Sequence, residues 1–200
     1  MLPLIYTNVW AFTLFLAACL IWNAPETIGM LRQRSRVARK EATSQDHHSM
    51  TILIGLQMLG LALNFLLAAT IPQAAITWQR TALLLVGVGL ILLGVAFRWY
   101  AIRTLGAYFT RDVAVSAQQP IMQRGPYRYI RHPSYTGTFI TMLGVGVATA
   151  NLVSLLVLLV CVLAGHLYRV RIEEQALAQT IGQPYIDYMR RTKRFIPGVV

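Results

Sequence analysis

Four stretches without a single charge constrain this chain more than any other feature. Met1 to Pro25, Ser49 to Gln79, Thr81 to Phe97 and Pro133 to Tyr168 contain no Asp, Glu, Lys or Arg, the last of them over 36 residues. A helix crosses membrane hydrocarbon with about 20 apolar residues, within a range of about 17–25. Spans are therefore expected near 3–22, 50–70, 81–101, 134–149 and 152–170. The last uncharged run is too long for one helix, and Thr149-Ala150-Asn151 is its expected turn. The chain reads as an all-α integral membrane protein of about five transmembrane helices.

The charges lie between these stretches. Of 18 Lys and Arg, 17 fall in three blocks, Asn23 to Ser49, Arg98 to His132 and Arg169 to Val200, leaving only Arg80. With five spans all three blocks share one side, and the positive-inside rule makes that side the cytoplasm. The N-terminus is then outside and the C-terminus cytoplasmic. This segregation reconciles a net charge of +11 with a mean hydropathy of +0.54. It also argues against an ordinary soluble domain, a disordered tail and a nucleic-acid-binding protein. Cys19 and Cys161 both lie in apolar runs, so neither a disulfide framework nor a zinc cluster is expected. Met1 to Trp22 lacks a basic leader and reads as a span rather than a cleaved signal. Short loops and no retention signal suggest a bacterial inner membrane.

Residues 1–110 read as a three-span scaffold. Gly87, Gly89 and Gly94 in the third span permit close helix approach, and so does the stripe Gly137, Thr141, Gly144 and Ala148 in the fourth. Gln57 and Asn64 share a face and are expected to bond between helices. Residues 111–200 read as the catalytic half: a cytoplasmic linker, a hairpin of two spans and an amphipathic C-terminal helix. Gly125-Pro126 marks a turn, and Pro133 opens the fourth span. Gly182 caps the fifth helix and Pro184 starts the last one, whose Tyr185, Tyr188 and Met189 share a face. That helix is expected to lie on membrane lipid. The adjacent His47 and His48 have no accompanying carboxylate motif, so no metal is expected.

His166, Arg169 and Glu173 stand at i, i+3 and i+7 and line one stripe of the fifth helix. A helical ion pair contributes only about 0.3–0.5 kcal/mol. Three polar groups stacked at the mouth of a span cost more than that to desolvate, which favours a functional role.

Gly125-x-Tyr127-x-x-x-Arg131-His132-Pro133-x-Tyr135-x-Gly137 is followed by Arg169-x-x-x-Glu173-Glu174-x-x-Leu177 and Gly182-x-x-Tyr185-x-x-Tyr188. This order resembles the isoprenylcysteine carboxyl methyltransferase and phospholipid methyltransferase superfamily, over roughly Arg111 to Pro197. The resemblance implies a membrane enzyme that uses S-adenosylmethionine in a cytoplasmic-side pocket to methylate a lipophilic or prenylated substrate. A carboxylate acceptor is favoured over the amine of a phospholipid. The resemblance further implies that Tyr127, His132, Pro133, Ser134, Tyr135 and Glu173 contact the cofactor. Gln119 and Met122 would form part of the pocket wall, and Asp112 would add a polar contact. Arg169, with His166 beside it, would hold the substrate, making Arg169 and Glu173 the catalytic pair. Sterol-type reductases carry a similar Arg-His-x-x-Tyr-x-Gly element, but with Asn before the Tyr and Asp after the Gly. Ser134 and Thr138 stand there instead and argue against a nicotinamide cofactor. A non-catalytic membrane subunit would have no use for the stacked His166, Arg169 and Glu173.

Overall fold

The architecture follows from the apolar runs, which form the helices. The last run gives two, as expected, and the first, expected as one span over 3–22, is broken at the extended Asn8 into a short helix and a long one. A computed structural model describes residues 2–32, 43–44, 48–109, 114–115 and 120–196. Among them are a short α1 (Leu4–Thr7), α2 (Val9–Arg32), α3 (Ser49–Thr70), α4 (Arg80–Leu105), α5 (Pro133–Ala148), α6 (Leu152–Ile181) and α7 (Gln183–Arg191). Three of these, α3, α4 and α6, are long and apolar enough to cross a membrane, and Val9–Asn23 is a shorter apolar segment. The protein is thus an all-α membrane protein. One small exception is a two-residue antiparallel pair, β1 (Thr43–Ser44) with β2 (Ala114–Val115), which joins the two long connections.

The helix ends obey the expected local chemistry. Pro133 opens α5, where its missing N–H costs nothing. The Asn151 side chain caps α6 by accepting from the Ser154 N–H at 3.0 Å. Gly182 ends α6 at φ +77°, a left-handed conformation that a side chain would strain. The α5–α6 turn reaches back to the α3–α4 connection. Ile76 N–H donates to the Ala150 carbonyl at 2.8 Å and the Asn151 amide donates to the Ile71 carbonyl at 2.9 Å. The tip of the hairpin therefore lies level with the start of α4.

Small residues set the packing. α4 and α5 run against each other so closely that a Cβ on Gly94 would sit 2.5 Å from Thr141 N. One on Gly87 would sit 2.6 Å from the Gly144 carbonyl oxygen, and one on Gly137 would meet Arg98. The expectation for Gly89 is corrected, because it faces open space. α3 packs on α6 by the same device, with Gly60 against Cys161 and Leu158, and Gly165 against Leu53. Asn64 is fully buried and accepts from Thr149 Oγ1 at 3.4 Å, an interhelical bond of the kind its position suggests. The apolar core gathers Phe15, Leu84, Ile91, Met142 and Leu158 from four helices.

Candidate active site

At the end of the bundle opposite the hairpin turn, α6 continues for about three turns beyond its uncharged segment. Glu173 and Glu174 lie on this extension, and successive residues on a helix point about 100° apart. Glu173 borders a cleft and keeps 29% of its side chain exposed, whereas Glu174 is 4% exposed and turns towards the C-terminal segment. The cleft encloses about 490 Å³, part of it open solvent. Met122, Tyr127, His132, Glu173, Leu177 and Tyr185 are among its walls. Its surfaces are thus largely aromatic and aliphatic, with one partly exposed carboxylate and, from the linker, Arg131 and His132.

The linker is brought here by a 3₁₀ turn over Gly125–Arg128, with Gly125 at φ +54°. It is held by the C-terminal segment. Ile130 pairs in parallel with Lys193, Arg131 N–H donates to the Lys193 carbonyl at 2.8 Å and His132 N–H donates to the Arg194 carbonyl at 3.0 Å. Tyr188 Oη donates to the Tyr127 carbonyl at 2.6 Å. Burial raises the Tyr188 hydroxyl to about 12, although Arg131 and a bond with Thr192 act the other way. Burial also pushes Tyr127 and Tyr185 well above the ordinary tyrosine value, helped in both by the nearby Glu173 charge. All three rings enter the site as neutral phenols.

Glu174 is the centre of a charge cluster. It accepts from Arg131 Nε at 2.8 Å and from Arg194 Nε and Nη2 at 3.0 and 2.9 Å, and lies 3.3 Å from His132 Nε2. Removing one member of such a buried ion pair costs about 3–5 kcal/mol, because the other charge is stranded. Sequence reasoning singled out Glu173 and missed this role of Glu174. The adjacency of two acids on one helix was the available signal, since both cannot face the same way.

Arg169 lies one turn nearer the apolar part of α6 than Glu173. It is 3% exposed and donates from Nη1 to Ser49 Oγ at 2.6 Å, tying α6 to the first turn of α3. Tyr135 donates to Glu173 Oε2 at 2.9 Å and its ring meets His166 edge-on at 5.1 Å. His166 is 1% exposed, is bonded to the Val162 carbonyl at 2.8 Å and also packs against Phe139. Arg98 was not anticipated. It reaches from α4 to the Ser134 carbonyl and to Thr138 Oγ1, each at 3.2 Å, and anchors the first turn of α5. Its signal was position, as the first charge after the third uncharged run.

Of the residues expected to contact the cofactor or form the wall, Met122, Tyr127, His132 and Glu173 border the cleft. Pro133, Ser134 and Tyr135 sit directly behind it in the first turn of α5, and Arg169 and His166 lie deeper in the bundle. Gln119, Asp112, His47 and Pro197 lie outside the described residues.

Residues 86–179, which span α4 to the end of α6, match the model of the isoprenylcysteine carboxyl methyltransferase family. Over this stretch the chain is similar to that family. Among its curated relatives is protein-S-isoprenylcysteine O-methyltransferase B of Arabidopsis thaliana, 32% identical over 115 residues, covering 56% of this chain and 58% of the relative. The corresponding rat protein is 31% identical over 126 residues, covering 62% and 43%. A solved structure of the eukaryotic intramembrane Ras methyltransferase, isoprenylcysteine carboxyl methyltransferase, superposes with a TM-score of 0.53 at 25% identity. That match covers 73% of this chain and 52% of the solved one. The chain thus spans somewhat more than half the length of the plant relative. These family members come from plants, fungi, an insect and a mammal, and they overturn the expectation of a bacterial inner membrane.

Proposed function

We propose that this protein is an S-adenosylmethionine-dependent methyltransferase that esterifies the carboxylate of a lipophilic, isoprenylcysteine-like substrate within the membrane. The observation that carries the reading is the vertical order on α6. Glu173 opens onto the cleft at the polar end, and Arg169 is buried one turn closer to the apolar segment. A polar cofactor and an oily carboxylate would meet between them.

The residues present fit the cofactor. Its sulfonium and ammonium are cationic and its ribose carries hydroxyl donors. The cleft offers a carboxylate at Glu173 and aromatic faces at Tyr127 and Tyr185, and both kinds of group attract a cation. When bound, the cofactor supplies an electrophilic methyl group. The rest is done by the chain. Glu173 and His132 orient the polar edge of the cofactor, with Pro133, Ser134 and Tyr135 supporting them from the first turn of α5. Arg169, braced by Ser49, would align the acceptor carboxylate by its guanidinium fork. A carboxylate is already ionised at neutral pH, so no general base is required and His166 stays a packed wall. Alignment and exclusion of water then carry the rate, and effective molarities for well-aligned groups can be worth about 7–11 kcal/mol.

We further propose five crossings with the N-terminus outside and the cleft facing the cytoplasm. The support is the joint between the α5–α6 turn and the α3–α4 connection, which carries α5 through the same depth as its neighbours.

The test is a titration of the purified protein in detergent with S-adenosylmethionine and, separately, NADPH. A labelled-methyl assay then uses an isoprenylcysteine with a free carboxylate, the corresponding amide and a phosphatidylethanolamine. Binding of S-adenosylmethionine alone, with label transferred only to the acid, is expected. Binding of NADPH alone would move the protein to the reductases, and transfer to an amine headgroup would change the acceptor.

A further inference from the structure

His132 has a carboxylate on each side of its ring, and the two are not equivalent. Nε2 lies 3.3 Å from Glu174 Oε1 and Nδ1 lies 4.0 Å from Glu173 Oε2. Glu174 is buried behind the cleft wall, with Arg131 on one of its oxygens and Arg194 on the other. A carboxylate held between two guanidinium groups can only accept hydrogen bonds, so the proton in its contact with His132 belongs to Nε2. The contact between Nδ1 and Glu173 is too long for a hydrogen bond and asks for no proton there. Glu173 Oε2 is already engaged by the Tyr135 hydroxyl at 2.9 Å.

We infer that Glu174 is a positioning residue that fixes His132 as its Nε2–H tautomer, so that Nδ1 stands beside Glu173 as a second acceptor on the cleft wall. The ring has no freedom to answer otherwise. Tyr135 stacks on it at 5.6 Å with planes 16° apart, and Phe195 packs at 6.2 Å from the C-terminal segment. That segment is itself seated by the Arg194–Glu174 pair and by the backbone bonds of Arg131 and His132. One buried carboxylate therefore orients the ring and closes the wall behind it. The resulting pair, His132 Nδ1 and a Glu173 oxygen 4.0 Å apart, suits a single group bearing two N–H or O–H donors, such as an ammonium or a vicinal diol. His166 provides the contrast. Its Nδ1 faces the Val162 carbonyl oxygen at 2.8 Å, which can only accept, so that ring carries its proton on Nδ1. The two histidines are opposite tautomers one helix apart.

The inference rests on the methyltransferase reading only for the identity of the group that is bound. The experiment is ¹⁵N NMR of the histidine-labelled full chain in detergent, without cofactor, at about pH 8, above the ordinary histidine range. The signals are assigned with His132→Gln and His166→Gln. Wild-type His132 is expected to show a protonated Nε2 and a bare Nδ1, and His166 the reverse. In Glu174→Gln the amide can donate as well as accept, so the His132 signals should shift towards a mixture of tautomers while those of His166 stay put. The same variant should bind S-adenosylmethionine roughly tenfold more weakly by calorimetry. A proton on Nδ1 of wild-type His132 overturns the inference, and that measurement needs no variant of Glu174 to fold. A Glu174→Gln protein with unchanged tautomer and affinity overturns it equally. A wild-type protein with the expected tautomer that binds no S-adenosylmethionine refutes the proposed function and leaves the tautomer assignment standing.

Discussion

At the scale of single residues, the proposed division of labour on α6 is a matter of angle and depth. Glu173 and Arg169 are one turn apart on the same stripe, but only Glu173 reaches the cleft. Their loss should therefore separate. Glu173→Ala is expected to remove S-adenosylmethionine binding in a calorimetric titration. Arg169→Ala should leave the cofactor affinity within a few-fold while turnover falls by at least about a hundredfold. Loss of cofactor binding in Arg169→Ala would reverse the assignment. The stripe was legible because i, i+3 and i+7 spacing is fixed by helix geometry. The role of Glu174 was not, since its partners Arg131 and Arg194 come from segments whose approach only the tertiary fold decides. The tyrosines around the cleft make a second prediction. Tyr188 is raised from the ordinary 10 to about 12 by burial, and Tyr127 and Tyr185 are raised in the same sense. A group whose pKa is raised on folding contributes stability that is present in full below its unfolded value and lost as pH rises through the folded one. Thermal melting in detergent should hold steady up to about pH 10 and fall between there and about pH 12. Tyr188→Phe should flatten part of that decline, and an unchanged slope would remove Tyr188 from the account.

At the scale of elements, the uncharged runs located every long helix, because hydrocarbon admits no unpaired backbone group and a helix satisfies its own. Stops written in single residues, Pro133, Asn151 and Gly182, were equally readable. Which glycines face a partner was not, because that depends on helix rotation. Gly94 and Gly89 sit in the same apolar run of α4, yet Gly94 touches the backbone of α5 and Gly89 touches nothing within 4 Å. Gly94→Ala must push α5 away, since the atoms it meets include Thr141 N at 2.5 Å and the Gly137 carbonyl oxygen at 2.6 Å. A cost of about 1–3 kcal/mol is expected, as for other overpacked contacts. Gly89→Ala, which meets no neighbour, should leave stability unchanged or raise it by up to about 1 kcal/mol. Melting of the two variants in the same detergent decides the matter, and equal shifts would mean that α4 is rotated from the position described. Gly94→Ala should also weaken cofactor binding, because Arg98 one turn further along anchors the α5 turn that supports Tyr135 and His132.

At the scale of the molecule, charge and depth have to agree. α5 has 16 residues and is about 24 Å long, short of a hydrocarbon core of about 30 Å. Length alone would allow it to enter and leave on one side. The hairpin geometry argues otherwise, because Ala150 and Asn151 bond to Ile76 and Ile71 at the far end of α3 and α4. If α3 and α4 cross, α5 crosses with them, and the bilayer thins slightly around it at a cost of fractions of a kcal/mol per ångström. The α3–α4 connection and α7 must then lie on opposite faces, since three helices separate them. This can be tested with single cysteines at Gln73 and Arg190, both exposed, in a chain whose Cys19 and Cys161 are replaced by Ala. In sealed, oriented vesicles an impermeant thiol reagent should label one position from outside and the other only after permeabilisation. Labelling of Arg190→Cys from the cytoplasmic face would place the cleft where the basic blocks are, in keeping with the positive-inside rule. Labelling of both positions from one face would require an even number of crossings between them, and the hairpin would then have to be shallower than its bonds to α3 and α4 allow.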